Sequence, residues 1–284
     1  MKFCKFHGFG NDYLVLEAES LTQIKSLGNF ARQICDRHYG VGADGIAIVG
    51  KVKSEAADFT ARIFNPDGSE AAFSGNGTRC AVSYLYSQKI WQDESLRLKT
   101  KSGVKKYRLL ETIAAGHYRF EAELGKPKFD SGSIPIGSKE RLETVIDFPL
   151  AVGAEEFKIT CVNVGNPVTC VFVDDFDAFD WREIGREIET HSSFPERTNA
   201  VFVKVLDRNN IELRIWERGA GETSASGTCS VAASVAACLR GETEREITVH
   251  SPGGQTRVVW RETDDEMLLT GRADFVFCGE WEMK

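Results

Sequence analysis

The residues with chemistry to offer gather where a short apolar strand gives way to a glycine turn and then to a helix. A strand over 211–216 leads into the charged pair Glu217 and Arg218. The chain then turns through Gly219 and Gly221, and Ser226 and Gly227 open a helix over 228–239. The middle of that helix holds only Cys, Ser, Val and Ala, so no face suits water and the helix is expected inside the protein. An enclosed helix whose amino end meets a loop is an anion site, because its first N–H groups lack partners and its dipole is positive there. Ser226 therefore stands where a carboxylate would bind. Its hydroxyl is too weak an acid to act as a free base at neutral pH and needs an adjacent base to activate it.

The same order occurs once before. A strand over 58–64 is followed by a glycine turn, Ser74 and a helix start; twelve positions separate Arg62 from Ser74, as they separate Arg214 from Ser226. Gly10 and Asn11 recur as Gly165 and Asn166, each before a strand, 13–16 and 169–173. Asn11 to Asp44 spans 33 positions, as does Asn166 to Asn199, and both later residues precede an apolar strand, 46–49 and 200–203. Asn11 lies 63 positions before Ser74, and Asn166 lies 60 before Ser226. Four correspondences in one order at near-constant spacing point to two copies of one unit. Their two helix starts are expected to face each other across a cleft.

Composition bounds the rest. A chain of 284 residues accommodates two domains with a core each, and 42% hydrophobic with 27% charged residues marks a folded globular protein. The net charge of −7, with no long basic run, argues against nucleic acid as a partner. No apolar run reaches 18 residues and no basic-then-apolar leader opens the chain, so neither membrane spanning nor secretion is expected. Eight cysteines without a C-x-x-C pair are too sparse for a disulfide scaffold or a zinc site. Cys35, Cys80 and Cys238 are expected as reduced core residues, and the chain as cytoplasmic.

The elements that must position these residues follow from periodicity and punctuation. Helices are predicted over 29–38, 78–89 and 181–190. Strands are predicted over 95–101, 104–110, 117–124, 142–148 and 156–163, with a hairpin turning at 251–254. The stretch 40–45 matches G-x-G-x-x-G letter for letter, but it follows a helix and precedes a strand. The dinucleotide fingerprint needs the reverse order, so this is a turn, and no cofactor is expected. The loop-like segment 125–133 is the expected boundary between domains 1–125 and 126–271, with a last strand in 272–284 returning to the first. The fold class is α/β, of α+β type. Two pseudo-symmetric domains are each a curved, mixed, mostly antiparallel sheet around a central helix, with the active site in the cleft between them.

Six motifs in one order carry a resemblance that runs from Lys2 to about Phe275. They are 7–12, 65–70, 75–77, 165–167, 195–199 and 217–223, and together they resemble diaminopimelate epimerase. The resemblance implies pyridoxal-independent inversion of an α-carbon, interconverting LL- and meso-diaminopimelate in lysine and peptidoglycan precursor synthesis. One base takes the α-proton from one face and a conjugate acid returns a proton on the other. Cysteines suit this work, because a thiol near pKa ~8.5 is lowered at a helix N-terminus. In this chain the two matching positions are Ser74 and Ser226, and the histidine often found after Gly-Asn-Pro is Val168. Losing a general base costs roughly 10²–10⁴-fold in rate. By the same resemblance Asn65, Asn199, Glu217 and Arg218 bind the distal amino-acid centre. Asn11 and Asn166 stand nearer the reacting carbon, and Gly75, Asn76, Gly227 and Thr228 hold the α-carboxylate at the helix starts.

Plainer roles stand beside these. Serine before a helix is a common cap, Glu217 and Arg218 are a candidate surface ion pair, and Asn11 and Asn166 suit turns. Cys80 and Cys229 lie too far into their helices to replace the bases and are expected to pack. His7, His38 and His191 lack metal-ligand spacing, and no metal is expected. Two other functions stay open: a same-fold isomerase, racemase or dehydratase for another amino or hydroxy acid, and a non-catalytic amino-acid-binding protein. The expected partner is a small amino-acid substrate, and a homodimer is the assembly considered.

Overall fold

The computed structural model describes residues 1–52, 54–137 and 141–282. Two units are distinguished: Met1–Glu123 together with the chain from Thr270 onward, and Leu124–Leu269.

In the first unit β1 (Lys2–Gly8) and β2 (Asn11–Glu17) form an antiparallel hairpin. Its two connecting residues, Phe9 and Gly10, both take positive φ. Helix α1 (Leu27–Cys35) leads to β3 (Gly45–Lys51), which runs parallel to β2. The antiparallel β4 (Phe59–Phe64) and the short β5 (Glu70–Ala71) follow. Helix α2 (Gly75–Ser87) precedes β6 (Ser95–Thr100), which pairs parallel with β4. The antiparallel β7 (Gly103–Ala114) and β8 (His117–Glu123) complete the meander. The C-terminal strand (Met267–Glu280) pairs with β1 and also with β8, so the strand order closes on itself. Sequence patterning suggested a curved sheet; here it is a ring around α2, which packs on β1 to β4 and on β8. In the antiparallel register of β1 and the C-terminal strand, Cys4 lies opposite Cys278 and the two form a disulfide.

Helices α1 and α2 both start and end earlier than expected, and two of these boundaries have local reasons. Helix α1 stops at Cys35 and not at His38, because the Asp36 carboxylate accepts the N–H groups of His38 and Tyr39 and holds a turn. Helix α2 starts at Gly75, three residues before the predicted Thr78. Glycine is a poor helix former, which hid this first turn. Space explains why it is there: a Cβ at Gly77 would lie 2.8 Å from the Tyr13 ring.

The second unit repeats the pattern. Strand β9 (Val145–Val152) starts three residues later than predicted and pairs antiparallel with β10 (Glu155–Asn163). Strands β10 and β11 (Pro167–Phe172) are antiparallel, like β1 and β2. After α3 (Trp181–Glu189), β12 (Asn199–Asp207) runs parallel to β11. The antiparallel β13 (Asn210–Glu217) and the short β14 (Gly221–Thr223) follow. Helix α4 (Gly227–Leu239) then leads to β15 (Glu246–Ser251), parallel to β13, and β16 (Gly254–Trp260) closes the hairpin. The strand, helix and parallel-pair order of β1–β7 is thus the order of β10–β16, as the repeated spacing predicted. The short strands β5 and β14 of the glycine turns were not foreseen.

Helix α4 is buried from Thr228 to Ala237. Its alanines let the surrounding strands approach closely. Its two interior serines bond back one turn, Ser230 to the Ser226 carbonyl and Ser234 to the Ser230 carbonyl, each at 2.8 Å, so no hydroxyl is stranded.

Candidate functional site

The first module's site is built where β2 and β3 begin, against the first turn of α2. Ser74 is the cap of α2, its Oγ accepting the Gly77 N–H at 3.1 Å. The same Oγ lies 2.9 Å from the hydroxyl of Tyr13 on β2. Asn76, buried in the first turn, donates from Nδ2 to Asn11 Oδ1 at 3.2 Å, and Asn11 donates to Asp44 Oδ2 at 2.9 Å. Asp44 also accepts from Arg37, which reaches Asp12, and Asp12 pairs with Lys5 at 2.7 Å. Burial works to raise the Asp12 carboxyl, but Lys5 and Arg37 outweigh it and hold it below the usual carboxylate range. Asn65 stands apart from this chain of contacts and donates to Ser69 at 3.0 Å.

Behind Asn76 sits Arg79, only 2% exposed. Its guanidinium donates to Asn76 Oδ1 and to the Arg272 carbonyl, and its slot is cut by Gly8 and Gly271. A Cβ at Gly271 would lie 2.7 Å from the Arg79 Cζ. The guanidinium fixes the Asn76 amide with its Nδ2 toward Asn11. Nothing in the sequence singled Arg79 out, because an arginine in a first helical turn is unremarkable until its burial is seen.

The second module solves the same position differently. Ser226 makes no cap bond to α4. Its hydroxyl donates instead to Glu217 Oε2 at 2.9 Å, while Thr223 donates to Glu217 Oε1 at 2.8 Å. The bond that Ser74 Oγ accepts from the third residue of its helix thus has no counterpart in α4. Burial pushes the Glu217 carboxyl above the ordinary carboxylate range, against the opposing pull of Thr223 and Ser226. The carboxyl next to the Ser226 hydroxyl is thus that of Glu217. Glu217 and Arg218 are not the surface pair considered from sequence: Arg218 donates from Nη1 to the Glu196 carbonyl, and its N–H goes to Asn199 Oδ1. Asn199 in turn donates to the Pro167 carbonyl at 2.9 Å. The turn after Glu217 is held by Glu189, which accepts from Gly219 N–H and from Trp216 Nε1. Asn166 Oδ1 is buried without a hydrogen-bond partner.

The cysteines near both serines are packing residues. Cys80 and Cys229 are fully buried, and burial drives the Cys80 thiol up to about 12 and the Cys229 thiol well above its ordinary value. Neither supplies a thiolate at neutral pH. Val168, which repeats Tyr13 in the second module, is buried and apolar. Among the described residues no cluster of His, Cys, Asp and Glu could hold a metal ion.

Known proteins bear on this geometry. The family model described as diaminopimelate epimerase matches residues 3–129 and 160–276. The diaminopimelate epimerase of Synechocystis is 39% identical over 283 residues, covering 100% of this chain and 99% of its own length. That of Pelotomaculum thermopropionicum is 40% identical over 284 residues, covering 99% of each. Among solved structures, a probable proline racemase from Agrobacterium radiobacter has a TM-score of 0.71 at 13% identity, covering 100% of this chain and 93% of its own. A predicted epimerase from Pseudomonas aeruginosa has a TM-score of 0.70 at 15% identity, covering 100% and 99%. At such identities these two structures speak for the fold alone. A full-length match to the sequence relatives, with the family's motifs gathered at two repeated helix starts, means that this chain belongs to the diaminopimelate epimerase family.

Proposed function

We propose that this protein epimerises diaminopimelate at its α-carbon without a cofactor, and that Ser226 and Glu217 together act as one of its two proton-transferring units. The observation that carries this reading is the 2.9 Å bond from Ser226 Oγ to a carboxyl whose affinity for a proton is raised by burial. The α-proton passes to Ser226 Oγ as the Ser226 proton moves onto Glu217 Oε2, and the electron pair of the broken C–H bond stays on carbon. The first N–H groups of α4 suit the α-carboxylate and the charge that develops beside it. A carboxyl poised above its ordinary pKa is a better match to neutral operation than an unperturbed one. Ser74 supplies the hydroxyl for the opposite transfer. Asn166 Oδ1 is ready to accept from the substrate ammonium, and Asn65, Asn199 and Arg218 serve the distal centre.

The compartment that fits is the cytoplasm, where such a precursor is made. A second copy of the chain suits the exposed Val276 and Phe277 of the C-terminal strand, and sedimentation of Phe277→Glu against the unchanged protein tests that dimer.

The decisive experiment is deuterium exchange. Protein and diaminopimelate are incubated in D₂O and the α-proton signal is followed by NMR. Loss of that signal with inversion of the centre, abolished by Glu217→Gln, supports the reading. Tight calorimetric binding with no exchange would leave an amino-acid-binding protein in its place.

A further inference from the structure

Tyr13 is not part of the repeated framework. Its counterpart in the second module is Val168, yet its hydroxyl reaches to 2.9 Å from Ser74 Oγ. The ring is 5% exposed and lies in a slot whose walls are glycines. A Cβ at Gly45 would sit 2.7 Å from Tyr13 Cε1, and one at Gly77 would sit 2.8 Å from the same atom. Neither glycine takes a positive φ, so what they provide is room for the ring and not an unusual backbone. The local backbone is thus shaped to bring one phenol to one serine.

We propose that the Tyr13 hydroxyl resupplies Ser74 with the proton that Ser74 delivers to substrate, so that the first module carries a phenol where the second carries a carboxylate. This rests on the epimerase reading above. In the delivering step the Ser74 O–H bond breaks as a C–H bond forms at the α-carbon, whose lone pair is the acceptor. Ser74 Oγ takes a proton from Tyr13, leaving a phenolate, and the Gly77 N–H steadies the oxygen as negative charge passes through it. The proton removed from substrate rests on Glu217, so net charge is unchanged. Water returns a proton to Tyr13 and takes one from Glu217 after product leaves. A phenol is ordinarily near pKa ~10, far more acidic than an aliphatic alcohol, so it can supply what an isolated serine cannot. Tyr13 meets the reacting atoms only through Ser74 and is a positioning residue.

Tyr13→Phe keeps the ring in its slot and removes one oxygen. In the otherwise unchanged protein, kcat for diaminopimelate epimerisation is expected to fall about 10²-fold with KM within about twofold. In a Ser74→Cys background the thiol carries its own exchangeable proton, and the same Tyr13→Phe change is expected to lower kcat less than about threefold. Equal losses in both backgrounds would assign the hydroxyl to packing and overturn the relay. An active protein unaffected by Tyr13→Phe would overturn it too while leaving the epimerase reading in place. Turnover only after Ser74→Cys with Ser226→Cys would keep the substrate and overturn the serine relay. No turnover in either form would remove both proposals together.

Discussion

The two helix starts are copies in topology and opposites in wiring. At Ser74 the side chain caps its helix and meets a phenol from β2; at Ser226 it leaves its helix uncapped and meets a carboxylate from β13. The polar groups of the first module are bonded to one another in a continuous chain from Arg79 through Asn76, Asn11 and Asp44 to Arg37. In the second module Asn166 Oδ1 has no partner and Glu217 resists ionisation. One start is internally satisfied and the other is held ready. A duplicated framework can therefore place one serine twice and still give it two chemistries, because the partner comes from a different strand each time.

The comparison is broken most forcefully at Glu217. Glu217→Gln keeps the shape and one acceptor but removes the base, and kcat should fall about 10²–10⁴-fold. Activity needs the carboxylate, so it declines as pH falls through the folded-state pKa. Because that value lies above the ordinary 4.5, the decline starts at a higher pH than for an unperturbed glutamate, and the acid limb of the kcat/KM profile should vanish in the variant. The same raised value means the folded state loses stability on ionising this group as pH rises from about the ordinary value, so thermal melts should show Glu217→Gln more stable than the parent at pH 7 and no more stable at pH 4.

Gly77→Ala strikes the other start. The added carbon meets the Tyr13 ring and Ile63, and overpacking of this kind costs about 1–3 kcal/mol. Urea unfolding should register that loss together with reduced turnover, and Gly103→Ala, where a Cβ would meet nothing but φ is positive, separates crowding from backbone effects.

Smaller effects sharpen the contrast between the two serines. Ser74→Ala removes a cap and should cost about 1 kcal/mol of stability, nearly independent of pH between 5 and 8. Ser226→Ala removes no cap but strips a donor from Glu217, so its destabilisation should grow with pH as that carboxyl ionises; denaturant melts at several pH values would show parallel curves for one and diverging curves for the other. Smallest of all, Asn166→Ala gives up no bond at Oδ1 and should alter stability by no more than about 0.5 kcal/mol, while raising KM. An unchanged KM would remove Asn166 from the ligand's surroundings.

How much of this the chain declares in advance depends on whether the signal is local. The duplication was legible because glycine turns, asparagines and serines recur at fixed intervals, and each repeat rebuilds the same two parallel pairings. The enclosed helix α4 was legible because its residues are small and apolar all round. Helix α2 was placed three residues late, because Gly75 and Gly77 look like breakers until the Tyr13 ring that needs their space is in view. The partners of the serines were the hardest to see. Tyr13 is 61 positions from Ser74, and its side chain is an ordinary aromatic of an apolar strand. Glu217 stands out in the sequence as a charged neighbour of Arg218 and, by resemblance, as a residue of the distal centre, but not as the partner of Ser226, since sequence cannot show which way a side chain turns at a strand's end. The cysteine count argued against a disulfide framework, and the one bond present joins residues 274 positions apart, a pairing fixed by strand register and not by spacing.

That bond has a topological result. With Cys4 tied to Cys278, almost the whole polypeptide becomes a loop, and only the few residues at either tip lie outside it. A protease that severs one peptide link between them yields two fragments still fastened to each other, so a single nick goes unseen by gel until a thiol reductant is added. Where the surroundings keep these sulfurs reduced, the same cut releases two separate pieces.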